Sequence, residues 1–432
     1  MDVDTQPRVQ ITVREPDPTE GPDFEAEATH VLQRLRTTLA EVVAGVPGHV
    51  SKPAELRRAL NIDMNLGCKV FKVISASGSL AAGPHVPGLS ALRTFLTAAR
   101  RAGVSEPAVA AATRAAADFD RLVTSHAGDR TAFDSMISSL AGAGDAAQIT
   151  LQQRRAVYRG QRHIFGAYAK VQLECSLIQP ADEPGMIDFA RISGLLSARR
   201  LRPDAPLIVA RACITNDDGT VRAIRRTPLD PTADPMQELA LLGEFCSQPL
   251  PQFRAVQSGP GRVYGELASN GLGKKAAITC VEGHVARAAV PRYRDEENRI
   301  CANIAKIRTP CEVLILDLLV REDTFGALTP TAFACAEHLG EVAAPGTCAE
   351  WLRLEPRESV VYLGKGPSVL YAADIPRYAE LGRHAFECLG WDGERFDVYR
   401  CRVEYPVLPS TVVMRFDLPA APGTPAGSAP AA

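Results

Sequence analysis

At 432 residues, 46% apolar and 23% charged, the chain has the composition of an ordinary globular protein with material for two or three cores. Its 48 Lys and Arg against 50 Asp and Glu leave a net charge of −2, which excludes a polycation that coats nucleic acid, so any such contact must come from a local basic surface. No window reaches the roughly eighteen uninterrupted apolar residues of a membrane-spanning helix, and the acidic opening MDVDTQPRVQITVREPDPTEGPDF lacks the apolar run of an export signal.

The eleven cysteines contain no CxxC pair, so free thiols in a reducing cytoplasm are expected, with no membrane partner. Residues 1–24, rich in Asp, Glu and Pro, read as a disordered leader, and PAAPGTPAGSAPAA from Pro419 as a low-complexity tail.

Residues 25–150 read as a helical domain. Val31, Leu32, Leu35, Leu39, Val42 and Val43 form a stripe of helical period, stopped by Pro47-Gly48. The run Ser51 to Ile74 then splits into two short helices. Pro53 opens the first in a position where its missing N–H costs little, and Leu60 ends it. Asn61 and Ile62 make the corner, and Asp63 caps a second helix, Met64 to Ile74. Leu66, Val70 and Ile74 fall on its expected inner face, with Asn65, Lys69 and Lys72 outside. Ser75 to Gly88 reads as a loop. Two further helices follow, one closed by Gly103 and one opened by Ser105 and Pro107.

The segment Ser51–Ile74 resembles the helix-turn-helix of bacterial-type DNA-binding regulators. Leu56, Leu60, Ile62 and Val70 supply its apolar anchors, while Arg57, Asn61 and Gly67 depart from its usual residues. The resemblance implies that the second helix enters the major groove of double-stranded DNA and that the protein binds as a homodimer on paired half-sites. Asn65 would then pair with adenine and Lys69 and Lys72 with guanine, while Lys52, Arg57 and Arg58 would hold phosphates. A plain helical hairpin inside an all-α domain is the competing reading. From Arg34 to Arg101 the sequence carries ten basic against three acidic residues, the local excess that phosphate binding needs.

After a connecting helix over Leu151–Lys170 the character changes. VQLECSLI, PLIVARACI, AAITCVEG, EVLILDLLV, SVVYLG, FDVYRCRVEY and STVVMRFDL are β-branched, strand-like runs, with a turn at Asn216–Gly219 and helices expected over MQELALLGEF and IPRYAELGRHAFECLG. The fold class expected is α+β: an all-α helix-turn-helix domain, then a mixed α+β domain over 151–418 serving dimerisation or a small-molecule effector.

Chemistry is harder to find. Arg154, Arg155, Arg159, Arg162 and His163, with Tyr158 and Phe165, form a basic-aromatic run that fits a solvated linker helix, an extension of a nucleic-acid surface, or packing against acidic groups of the later domain. Cys335, His338 and Cys348 offer three zinc-ligand types without a fourth. The glycine-rich runs at Ser258, Ser269 and Leu363 do not fit GxxxxGK[ST]. No residue is nominated as catalytic, and no metal or cofactor is expected. The functions carried forward are a sequence-specific transcriptional regulator, an enzyme with its site in 151–418, and a structural or assembly protein.

Overall fold

The computed structural model describes residues 24–48, 50–140, 143–209, 225–233, 240–257, 263–269, 271–296, 298–337, 348, 350–354 and 358–422. Residues 1–23 of the expected leader and most of the expected tail lie outside these residues, as do the Asn216–Gly219 turn and His338, while Phe24 already belongs to the first helix. The chain is α+β and divides into two compact units, Met1–Thr150 and Leu151–Ala432.

The first unit is helical: α1 (Phe24–Ala44), α2 (Pro53–Leu60), α3 (Met64–Ile74), α4 (Ser79–Ala82), α5 (Leu89–Arg101), α6 (Glu106–Leu122) and α7 (Arg130–Leu140). The chain then enters α8 (Ala143–Phe165). The α1 stripe is the organising feature. Ala28, Leu32, Leu35, Leu39, Val42 and Val43 are all buried, in one core with Phe95, Phe119 and Phe133. Burying each such Leu or Phe contributes about 1.5–3 kcal/mol relative to exposure, which is what holds helices this short in place.

Phe119 and Phe133 meet edge to face at 5.3 Å. The Arg130 guanidinium lies over both rings and donates to the carbonyls of Gly83 and Val86 at 2.7 and 2.9 Å. Those contacts order the segment expected as a loop, which contains α4 and a single 3-10 turn at Gly83–His85.

The second unit holds the last turns of α8, strands β1 (Ala167–Pro180), β2 (Met186–Arg200), β3 (Ile208–Val209), β4 (Thr227–Pro228), β5 (Phe253–Gln257), β6 (Val263–Leu267), β7 (Ile278–Pro291), β8 (Ile300–Ile307), β9 (Cys311–Arg321), β10 (Thr331–Ala336), β11 (Arg353–Leu354), β12 (Val360–Lys365), helix α9 (Tyr378–Leu389), then β13 (Phe396–Glu404) and β14 (Ser410–Asp417). They form a seven-stranded sheet, β12-β13-β9-β1-β2-β7-β4, a four-stranded sheet, β11-β10-β14-β8, and a small sheet, β3-β6-β5.

Strand alternation divides the large sheet's faces. Val171, Leu173, Cys175 and Leu177 of β1 pack with Leu381, Ala385 and Phe386 of α9. On the other face Ile178, Leu314, Leu316 and Leu318 pack with Val412 and Met414 of the four-stranded sheet. The unit is therefore a two-sheet sandwich with a helix on its outer face.

Three expectations are corrected. Within MQELALLGEF the described residues form no α-helix: Leu241 bridges Glu282, and a 3-10 turn follows at Gly243–Phe245. The apolar period there serves an edge cover, since Leu242 is buried in the α9 core and its N–H reaches the Val281 carbonyl at 2.9 Å. The connecting helix does not extend to Lys170; Gly166, at φ +69°, ends α8 and β1 begins at Ala167. Not all thiols are free, because Cys335 and Cys348 form a disulfide joining β10 to the segment before β11.

Candidate nucleic-acid interface

The two helices at Ser51–Ile74 fold for reasons visible atom by atom. Glu55 reaches back to accept from the Ser51 N–H at 2.8 Å, the Ser51 hydroxyl at 3.0 Å and the Lys52 N–H at 3.1 Å. Those hydrogen bonds, the Ser51 N–H foremost, hold its carboxyl below its ordinary range and occupy donors that α2 itself leaves open.

Asn61 takes the left-handed conformation at φ 48° and ψ 51°, which turns the chain sharply enough to start α3 three residues later. Asp63 accepts from the Asn65 and Leu66 N–H groups at 2.8 and 3.4 Å, capping α3. Leu56, Leu60, Ile62 and Val70 are buried beneath the corner.

The inner face of α3 is rotated from the expected one. Gly67, Val70 and Val73 are buried, whereas Leu66 and Ile74 are only half-buried. The cause is at Gly67: a Cβ there would lie 3.2 Å from the Pro53 carbonyl oxygen. A residue without a side chain lets α3 lie close against the start of α2, and the contact face follows it round.

The outer face carries Asn65, Lys69 and Lys72, all exposed, with Met64 at 43%. Steps of four and three residues put them along one side, spanning about 10 Å at 1.5 Å per residue. Lys52, Arg57 and Arg58 are also exposed. Arg58 Nε leans on the Ala54 carbonyl at 3.4 Å, and Lys52 sits near the Glu55 carboxylate.

Among the described residues none of these six side chains that carries charge makes an ion pair. Other cations of the same window do: Arg34 pairs with Asp118 at 3.0 Å and Arg100 with Glu106 at 3.0 Å. The fold thus brings in two acids from beyond the window and lowers its excess from seven to five. Of what remains, a net three lies between Lys52 and Lys72 and a net two on Arg36, Glu41, Arg93 and Arg101. An amide and two ammonium groups on an exposed face can donate to base edges and phosphates.

Elsewhere the structure assembles groups that the sequence did not single out. Asp317, fully buried, accepts from Arg400 Nε at 2.8 Å, Arg400 Nη2 at 2.6 Å and the Tyr378 hydroxyl at 2.7 Å. Burial and the Asp317 charge push that hydroxyl well above its ordinary range. Between the sheets, Arg191 donates to Glu174 at 2.8 Å and to the Ile304 carbonyl at 2.6 Å, and Ser193 donates to Glu174 at 2.7 Å. Cross-strand pairing puts Glu282 beside Ser193 and His284 beside Arg191. Glu282 Oε2 and His284 Nε2 lie 3.5 Å apart.

These are interior networks that no sequence spacing reveals, because their members sit on different strands. Among the described residues no group of three His, Cys, Asp or Glu is placed to hold a metal ion, and no helix is long and apolar enough to cross a membrane. Comparison with known proteins finds no matching family model and no matching curated protein.

Proposed function

We propose that the chain is a sequence-specific, cytoplasmic DNA-binding transcriptional regulator. In this reading α3 enters the major groove, α2 lies against the backbone, and the second unit serves dimerisation or an effector. The observation that supports it is the exposed outer face of α3, where Asn65, Lys69 and Lys72 line one side without a carboxylate partner while both helix starts are capped.

The chemistry follows from that face. An Asn amide can pair bidentately with adenine, and a Lys ammonium can donate to guanine, each good pair giving about 1–3 kcal/mol of discrimination. Lys52, Arg57 and Arg58 supply the sequence-independent part by displacing counterions from phosphates. One such helix reads few base pairs, so a homodimer on two half-sites is part of the proposal.

The test is fluorescence anisotropy with the full chain and a pool of genomic fragments, followed by the Lys69→Ala/Lys72→Ala variant. The reading expects one or a few fragments to bind well above the rest, with that preference erased in the variant. Equal affinity for all fragments, unchanged by the substitutions, would refute it.

A further inference from the structure

Three segments of the second unit meet at one end of the large sheet: the last turns of α8 (159–166), the end of β2 with its turn (199–204), and the loop at 271–276. The Leu201 N–H donates to the Gly166 carbonyl at 2.7 Å, and the Gly273 N–H to the Arg200 carbonyl at 2.9 Å. Together they carry seven Lys and Arg and a single acid, Asp204. Arg200 is structural: it is buried and donates to the carbonyls of Ala205, Leu267 and Ala268.

The other six, Arg159, Arg162, Arg199, Arg202, Lys274 and Lys275, make no ion pair among the described residues. Some exposed arginines elsewhere in this unit are neutralised, although Arg155, Arg294 and Arg383 are exposed and make no ion pair among the described residues either. Arg377 holds Glu244 and Glu380, Arg395 holds Glu322 and Asp323, and Arg402 holds Asp374 and Glu404.

Rings and backbone, not carboxylates, position the cations at this end. The Arg162 guanidinium stands 5.5 Å from the Tyr168 ring centre and 5.8 Å from that of Tyr158. The Arg199 guanidinium stands 5.7 Å from Tyr168, donates to its hydroxyl at 3.3 Å, and keeps a buried Nε with no partner. Arg202 lies across Gly166, where a Cβ would come within 2.6 Å of its Nε. Stacking holds a guanidinium without neutralising it, so its donors stay open to an external anion.

We infer that this end of the second unit is a contact for the sugar–phosphate backbone of duplex DNA, independent of base sequence. The inference rests on the DNA-binding reading above, since a chain that recruits a duplex through α3 presents a line of phosphates to any second basic surface. Guanidinium forks match phosphate oxygens bidentately. The exposed Ile164 (68%) and Phe165 (46%) beside them make an anionic lipid surface the rival occupant.

The experiment uses the full chain, a duplex of arbitrary sequence and anisotropy titrations over a range of salt. Substituting Arg159, Arg202, Lys274 and Lys275 together by Ala should reduce the slope of log affinity against log salt by about four, roughly one per lost phosphate contact. The same variant should keep its preference among genomic fragments, and Arg202→Lys should keep most of the slope. A slope unchanged in the fourfold variant overturns the inference. So does loss of co-sedimentation with phosphatidylserine vesicles in that variant while its DNA slope stays intact.

The two readings fail separately. If genomic fragments are bound without preference but the slope still falls by four, the α3 reading fails and this one stands.

Discussion

Replacing Asp317 by Ala should bring the second unit close to its stability limit. The carboxylate is fully buried and takes three short hydrogen bonds, two from Arg400 and one from Tyr378. Arg400 is itself only 8% exposed, so the substitution strands a guanidinium in the interior. Removing one partner of a buried pair costs about 3–5 kcal/mol, far more than the pair contributes over an apolar replacement.

The Tyr378 hydroxyl, 2% exposed, loses its acceptor as well, for about 1–3 kcal/mol that overlaps with the first figure. A total near 5 kcal/mol is a large part of the roughly 5–15 kcal/mol that holds a typical domain. Urea unfolding can report the unit selectively, because the chain's two tryptophans, Trp351 and Trp391, both lie in it. Trp391 is buried and stacks on Phe396, so its emission should respond to loss of the core. A companion variant, Asp317→Leu with Arg400→Met and Tyr378→Phe, removes the whole polar set and should unfold later than Asp317→Ala alone. A loss below about 1 kcal/mol for Asp317→Ala would refute the reasoning that this is a desolvated, mutually dependent set.

Other predictions concern the α2–α3 corner and the thiols. Asp63→Ala should lower the stability of the first unit by about 1 kcal/mol, read from its helical circular dichroism, with faster exchange of the Asn65 amide. Because the Glu55 carboxyl is held below its ordinary range, its contribution is complete above the unfolded value and fades as pH falls below that value through the lowered one. Amide exchange at Ser51 and Lys52 should therefore rise there, and an unchanged profile would count against the cap. Cys246 is half-buried, and hydrogen bonding from the Cys280 thiol lowers its pKa, whereas burial pushes Cys175, Cys311 and Cys401 up to about 12. Iodoacetamide on the native chain should accordingly modify Cys246 ahead of those three.

Legibility in the sequence followed the physics of each region. In the first unit a 3.6-residue period marks α1, Gly103 and the Ser105–Pro107 pair mark the end of α5 and the start of α6, and the bounds of α2 and α3 read from Pro53 and Asp63 match those observed. Strands with aliphatic side chains on both faces, such as β9, declare themselves equally well. β2 does not, because Arg191 and Ser193 face the inside of the sandwich and interrupt its apolar pattern. The rotation of α3 was hidden for a different reason: it depends on Gly67 meeting the Pro53 carbonyl, a contact between helices that periodicity within one helix cannot express. The candidate face itself was readable, since polar residues at helical spacing fall opposite whatever is buried. The paired state of Arg34 and Arg100 was not, because Asp118 and Glu106 lie outside the basic window.

The central claim is that α3 reads base sequence through Asn65, Lys69 and Lys72. Its most direct test is a competition titration of the full chain against its best-bound genomic fragment and a scrambled duplex of equal length, at one fixed salt concentration. The account predicts a strong preference for the former, falling by about 1–3 kcal/mol for each of Asn65→Ala, Lys69→Ala and Lys72→Ala while scrambled-duplex binding changes much less. Equal loss on both duplexes would reduce these side chains to phosphate contacts, and no loss on either would contradict the claim.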